Sequence, residues 1–315
     1  MTDRQDVQAA FGELLTIDSG DSLSTRSQVW SAHMHGGDED VSAVVKQTWH
    51  SPEPLEAWQR TLVARGIRTV APLSPTVSVG EGDAPDSGEQ WVAYPRLEGR
   101  EWDGGAADLA AAGTLLGEMH AASDSLAIDG FPGFEWGDAT RETIDAAIEA
   151  NRDSAAEHWP TADTSRWAAQ LEDFASLSER VRGADVPHMP VSLYHRARSM
   201  LFDDQGALML DLEHAALAPR ILDLAVAALF FPLEHAGSGG SALGGEEWIA
   251  FRDAYLAVSP LTRQERDLWP AALTFMKLDR GTEHLTDGVA GEPEGNLGYL
   301  EDLLTMDEHD RYPLA

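Results

Sequence analysis

The chain of 315 residues predicts an α+β protein in which a β-rich N-terminal region, residues 1–98, precedes a larger helical region, residues 99–315. Three observations carry this. Short β-rich runs bounded by turn residues are confined to the first hundred positions. Segments of helical periodicity dominate everything after Gly99. One hairpin-bearing loop lies among those helices, so strands and helices are segregated rather than alternating as β-α units, which argues against a parallel sheet.

Residues Arg4 to Leu15 place Val7, Phe11, Leu14 and Leu15 at helical spacing. The turn-rich IDSGDSLSTRS leads into SQVWSAHMH and VSAVVKQTW, two β-rich runs joined at Gly36-Gly37-Asp38, which reads as a hairpin. A helix over Pro54 to Arg65 ends at Gly66. APLSPTVSV and EQWVAYPRL give two further strands across the loop GEGDAPDSG, completing a small sheet over residues of about 25 to 95. Beyond Gly99, ADLAAAGTLLGEMHAAS, ATRETIDAAIEANRDSAAEHW and TSRWAAQLEDFASLSERV read as helices, and so do EEWIAFRDAYLAV, RQERDLWPAALTFMKLDR and NLGYLEDLLTM. Pro270 is expected to interrupt the fifth of these. GEGDAPDSG and EHAGSGGSALGG have the composition of surface loops.

Composition excludes more than it names. The formal charge is −32, from 54 acids and 22 bases, and the lysines are Lys46 and Lys277 alone. Such a surface repels nucleic-acid phosphates and anionic membranes and steers cationic small molecules toward it, so neither a nucleic acid nor a membrane is an expected partner. An acid-rich lineage composition would give the same bias. With no cysteine, disulfides and thiolate metal sites are excluded. The start MTDRQDVQAAFGELL has no leader pattern and no 18-residue apolar run occurs, so a soluble cytoplasmic protein is expected.

The stretch from Pro190 to Ala225, PVSLYHRARSMLFDDQGALMLDLEHAALAPRILDLA, is the most informative. It reads as a short apolar strand, a polar loop, a hairpin (MLF, DDQG, ALML), two acids, and a helix carrying a further acid, Asp223. Carboxylates at the end of an apolar strand, here Asp211 and Glu213, are costly unless something cationic meets them. The arrangement resembles the catalytic segment of the aminoglycoside phosphotransferase and choline kinase families, relatives of the protein kinases, whose usual form is HGDxHxxN, a hairpin, then a metal-binding Asp. The resemblance implies a two-lobed protein-kinase-like fold, with a small β-rich N-terminal lobe and a larger helical C-terminal lobe. It further implies a nucleotide-binding lobe over 1–98, a substrate pocket within 99–315, ATP and Mg²⁺ as cofactors, and a small molecule as phosphoryl acceptor.

The same resemblance assigns residues. Asp211 matches the metal-binding Asp, Glu213 is a second metal-ligand candidate, and Asp211 and His195 are the catalytic candidates. Counting back without gaps puts the motif's Asn on Ser199 and its Asp on Tyr194; aligning His195-Arg196 with a kinase-type His-Arg-Asp puts the Asp on Ala197 and deletes about three residues. Neither register supplies an acid, which leaves His195, with an ordinary pKa of about 6.5, as the nearest proton acceptor. Lys46, in AVVKQTW, matches the nucleotide-phosphate lysine, although an edge-strand lysine that blocks aggregation would look alike. Glu56 or Glu53 on the following helix would be its ion-pair partner, with Glu56 preferred. Ser24 and Ser27 match a phosphate-contacting loop, and Tyr94 and Arg96 lie in VAYPRLEGREW, which matches the connector that meets adenine. His120, in LGEMHAAS, is expected to brace the catalytic loop and Asp223 to fasten it. The missing Asp and Asn leave two functions open: a weak phosphotransferase, or a pseudokinase that binds a nucleotide or another ligand. His33 and His35 share one strand face, a spacing that suits a metal hydrolase, but no further ligand pattern accompanies them.

Overall fold

The computed structural model describes residues 3–24, 27–36, 40–48, 52–80, 89–137, 139–233, 241–286 and 294–314. The expected turn residues Gly37 and Asp38, most of the loop at 80–88, and residues 234–240 of the later loop lie outside the described residues. The chain resolves into two compact units. The first contains Met1–Gly99 together with the short segments Ile128–Phe131 and Met209–Glu213; the second contains the rest.

In the first unit α1 (Arg4–Phe11) begins at Asp3, whose carboxylate accepts from the Gln5 amide. A 3₁₀ turn then leads into β1 (Leu15–Ile17), a strand where helix and turn were expected. The antiparallel partners are β2 (Val29–Met34), β3 (Val41–Thr48), β4 (Val77–Val79) and β5 (Glu89–Pro95), in the order β1-β2-β3-β5-β4, with α2 (Pro52–Ala64) following β3. Of APLSPTVSV only the last three residues form strand. Alternation divides the sheet cleanly. Ala43, Val45, Trp91 and Ala93 pack with Trp30, Val7 and Phe11 in one core, where Trp30 and Trp91 stack at 4.9 Å. Val44, Val92 and Tyr94 point the other way and meet Val70, Leu97 and Leu210. Lys46 shares that second face, on a strand paired on both sides, Val29 to one and Val92 to the other. It is therefore not an edge lysine. Trp58 of α2 packs edge-on against Phe131 at 5.7 Å, one contact that ties 128–131 to this unit.

The second unit is mostly helical: α3 (Ala106–Ser123), α4 (Arg141–His158), α5 (Ser165–Glu172) and α6 (Phe174–Arg182) precede β6 (His188–Val191). The hairpin β7 (Met200–Asp203) and β8 (Gly206–Met209) turns through Asp204 and Gln205, with Gly206 at φ 112°, a conformation that only glycine adopts cheaply. Then β9 (Ala216–Pro219) pairs antiparallel with β6 and runs into α7 (Arg220–Phe230). From Ile221 to Phe230 every residue of α7 is buried, which makes it the axis of this core. The chain ends with α8 (Gly245–Val258), α9 (Arg263–Thr286), α10 (Glu294–Thr305) and α11 (Glu308–Arg311). The backbones of α3 and α8 approach closely at Gly113 and Gly117, where a Cβ would run into the Phe251 and Tyr255 carbonyls. Pro270 does not break α9: Pro270 and Arg266 both lie on the exposed face, so water can satisfy the carbonyl the proline leaves without a donor. Among the described residues no helix is long and apolar enough to cross a membrane.

Candidate functional site

Lys46 meets both strand-end acids within the first unit, its Nζ lying 3.0 Å from Asp211 Oδ1 and 3.3 Å from Glu213 Oε2. The approach is built by the segment that follows β8. Met209 donates its amide to the Arg68 carbonyl at 3.0 Å and accepts from the Thr69 hydroxyl at 3.1 Å. Leu210 then packs against Val70, Val92 and Tyr94, which leaves Asp211 on the face of the sheet that carries Lys46. The strand does not continue to Glu213; the Glu213 amide donates to Asp211 Oδ1 at 3.2 Å, a turn that brings the second carboxylate round to the same ammonium.

The electrostatics follow from burial. Dehydration would lower the Lys46 pKa, but Asp211 and Glu213 outweigh it and the pKa rises. The Glu213 side chain is 8% exposed, and burial pushes its carboxyl up to about 7 against the opposing pull of Lys46. Its Oε1 has no hydrogen-bond partner. Burial likewise pushes the Tyr94 phenol up to about 12, and its hydroxyl receives the Gln59 amide at 3.4 Å.

Several sequence expectations are placed differently. Glu56 bonds Arg60 one turn along α2 rather than Lys46. The buried stripe of α2 is Leu55, Trp58, Gln59 and Leu62, a spacing that leaves Glu56 off the stripe and could have shown this. The Arg96 amide is taken by the Ser42 carbonyl at 3.0 Å and its guanidinium bonds the Ser31 hydroxyl, so that amide is not available to a ligand edge. Ser24 and Ser27 belong to a turn organised by Ser22, whose hydroxyl donates to both their carbonyls and accepts from the Ser24 and Val29 amides. His35 is held between Asp40 and Thr16, and His33 lies 3.5 Å from Asp18. Among the described residues no cluster of three or more His, Asp and Glu is arranged to hold a metal ion.

In the second unit Asp223 is completely buried and fastens the loop after β6. It accepts from the Ser192 and Leu193 amides, each at 2.8 Å, from the Ser192 hydroxyl, and from His120 Nε2 at 3.1 Å. His120 bonds the Tyr255 hydroxyl through its other nitrogen at 2.9 Å. Both expectations for this pair, brace and fastener, are met. Burial alone would raise the Asp223 pKa, but the His120 hydrogen bond and the donated amides bring it below the usual value. Leu193 has φ 51°, the left-handed region that favours glycine. In the ungapped register Leu193 stands at the Gly of HGDxHxxN, a position whose residue type suits this backbone.

His195 is not the substitute base. It has no exposed surface, donates from Nε2 to the Ala112 carbonyl at 3.0 Å, and burial drops its pKa to about 4. An imidazole enclosed in the core has no path to a substrate hydroxyl. Its neighbours form a stack that the sequence did not suggest: Arg196 lies over the Tyr194 ring at 4.4 Å, and Tyr194 stacks on His214 at 4.3 Å.

A profile of the phosphotransferase enzyme family matches residues 47–268. Comparison with curated proteins gives no match. Among solved structures, the amicoumacin kinase hAmiN, in complex with AMP-PNP, Ca²⁺ and Ami, superposes with a TM-score of 0.64 at 15% identity over 100% of this chain and 95% of that one. A microcompartment-associated aminopropanol kinase gives 0.56 at 15% over 96% and 94%. The choline kinase LicA from Streptococcus pneumoniae gives 0.56 at 11% over 96% and 97%. At such identities the likeness is one of fold, and the fold is kinase-like.

Proposed function

Because the chain belongs to the phosphotransferase enzyme family, we propose that it binds ATP and passes its γ-phosphoryl group, slowly, to a hydroxyl of a small molecule. The observation that carries the proposal is the approach of Lys46 to Asp211 and Glu213 on one face of the sheet. Phosphoryl transfer asks a protein mainly for positioning and charge neutralisation, and those three residues are the parts that supply it. Lys46 would exchange its carboxylate partners for nucleotide phosphate oxygens. The donor set suits Mg²⁺, which takes one or two carboxylates and completes its shell with phosphate and water, and the unpartnered Glu213 Oε1 is a free ligand oxygen. Asp211 and Glu213 are the residues that would hold the ion, whose charge, when bound, offsets that of the β- and γ-phosphates.

The reading of the chain as a pseudokinase, which binds nucleotide or another ligand without transfer, draws on a separate observation. The loop from Ser192 to Ser199 carries no carboxylate and no amide side chain, so nothing in it can orient the acceptor hydroxyl or hold a second ion in the usual way. Calorimetric titration with ATP and Mg²⁺ tests binding, and product detection against a panel of hydroxyl metabolites tests transfer. Lys46→Ala and Asp211→Ala are each expected to weaken ATP binding about tenfold or more, the loss of one charge-assisted contact. Binding unchanged in both variants would refute the site. Rapid transfer by the unaltered protein would refute the slow step and require a base elsewhere.

A further inference from the structure

Arg196 is buried, 5% exposed, yet it has no carboxylate partner among the described residues. Its neighbours are aromatic: the Tyr194 ring at 4.4 Å and the Phe230 ring at 5.6 Å. One terminal nitrogen donates to His284 Nε2 at 3.3 Å, and Nε is buried with no partner. Cation–π contacts offset part of the cost of burying a guanidinium, but they act on its faces. The N–H groups lie in the plane and need acceptors there, and a buried donor left without one is expensive. Other arginines of this unit meet carboxylates: Arg220 is held by both Glu265 oxygens and Ser259, Arg100 is bidentate on Asp108, and Arg280, whose Nε also lacks a hydrogen bond, lies 3.6 Å from Asp279. In a chain with 54 acids, a buried arginine that no acid among the described residues meets is an exception that calls for a ligand.

We propose that Arg196 is an oxyanion-binding residue, whose guanidinium edge, Nε together with a terminal nitrogen, receives a carboxylate or phosphoryl group of a small molecule. Tyr194 and Phe230 contact the guanidinium at 4.4 and 5.6 Å, and its planar fork carries Nε and a terminal nitrogen in the geometry a bidentate acceptor needs. Tyr194 is only half-buried, so the side of Arg196 that it covers lies near the surface. The site goes beyond the phosphotransfer reading and stands on the second unit alone. It also runs against the surface charge, since the acidic exterior attracts cations whereas this residue selects an anion.

The test is titration of the intact protein with inorganic phosphate and, separately, with acetate, at constant ionic strength, while the Arg196 Nε–H resonance and calorimetric heat are followed. Saturable binding of either anion that shifts that resonance is expected in the unaltered protein and in Lys46→Ala. Arg196→Met should weaken it about tenfold or more, and Arg196→Lys, a point charge without the planar fork, by less. The Nε–H signal reads the unaltered protein directly, so the test survives if Arg196→Met does not fold. No saturable shift, binding retained in a folded Arg196→Met, or binding lost in Lys46→Ala would overturn the assignment. The last result would place the anion with the nucleotide phosphates. Loss of ATP binding in Lys46→Ala with phosphate binding intact separates the failure of one proposal from that of the other.

Discussion

Replacing Asp223 with Ala removes one acceptor from four donors at once: the Ser192 and Leu193 amides, the Ser192 hydroxyl and His120 Nε2. The hydroxyl can turn to another partner, but the two amides cannot. Each buried amide left unmade costs about 1–3 kcal/mol, roughly 2 on average, whereas the strain of Leu193 at positive φ is already present in the parent. The total, about 4 kcal/mol, lies within the roughly 3–5 kcal/mol typical of breaking a buried charged pair. At roughly 2 °C per kcal/mol for a chain of this size, the melting temperature should fall by about 8 °C. The pH dependence carries a second signature. The folded carboxyl lies below its ordinary value of 3.8, so its contribution is complete above that value and is lost as pH falls through the lower folded one. The gap between variant and parent should therefore be constant at neutral pH and close in strong acid. Differential scanning calorimetry of both proteins from about pH 3 to 8 reads both effects. A variant melting within about 2 °C of its parent at neutral pH would refute the reasoning.

Glu213 titrates in the opposite sense: with its pKa raised to about 7 from 4.5, protonation stabilises the fold below the ordinary value, and this contribution disappears as pH rises through about 7. Glu213→Gln should remove that contribution, worth on the order of 3 kcal/mol, so the difference between denaturant unfolding at pH values of about 5 and 8 should shift by about that amount relative to the parent. In the ungapped register, which suits the positive φ of Leu193, the double change Tyr194→Asp, Ser199→Asn is the direct repair of the loop. Metal-dependent ATP turnover should rise at least about tenfold, read by coupled ADP release, and no rise in a folded variant would return the motif to another register.

Much of the fold was legible because it rests on local periodicity. Alternation along AVVKQTW and EQWVAYP separates the residues that pack with Trp30 from those that share a face with Lys46, and DDQG with Gly206 places the hairpin. Asp211 could be picked out because an apolar strand stops at an acid, and Lys46 because lysine is so scarce. The first strand was missed because three residues are too few for alternation to register. Tertiary structure alone decided which groups meet. Lys46 pairs with Asp211 and Glu213, not Glu56, because the Thr69 and Arg68 contacts to Met209 draw a distant segment onto its face. His195 and Arg196, adjacent polar residues in a loop, carry no local sign of burial; the first is enclosed beside Ala112 and the second against the Tyr194 and Phe230 rings. Periodicity reports which face a side chain takes within an element. The identity of the partner, and the pKa that follows from it, depend on contacts between positions far apart in the chain, and for those only the folded backbone supplies the distance.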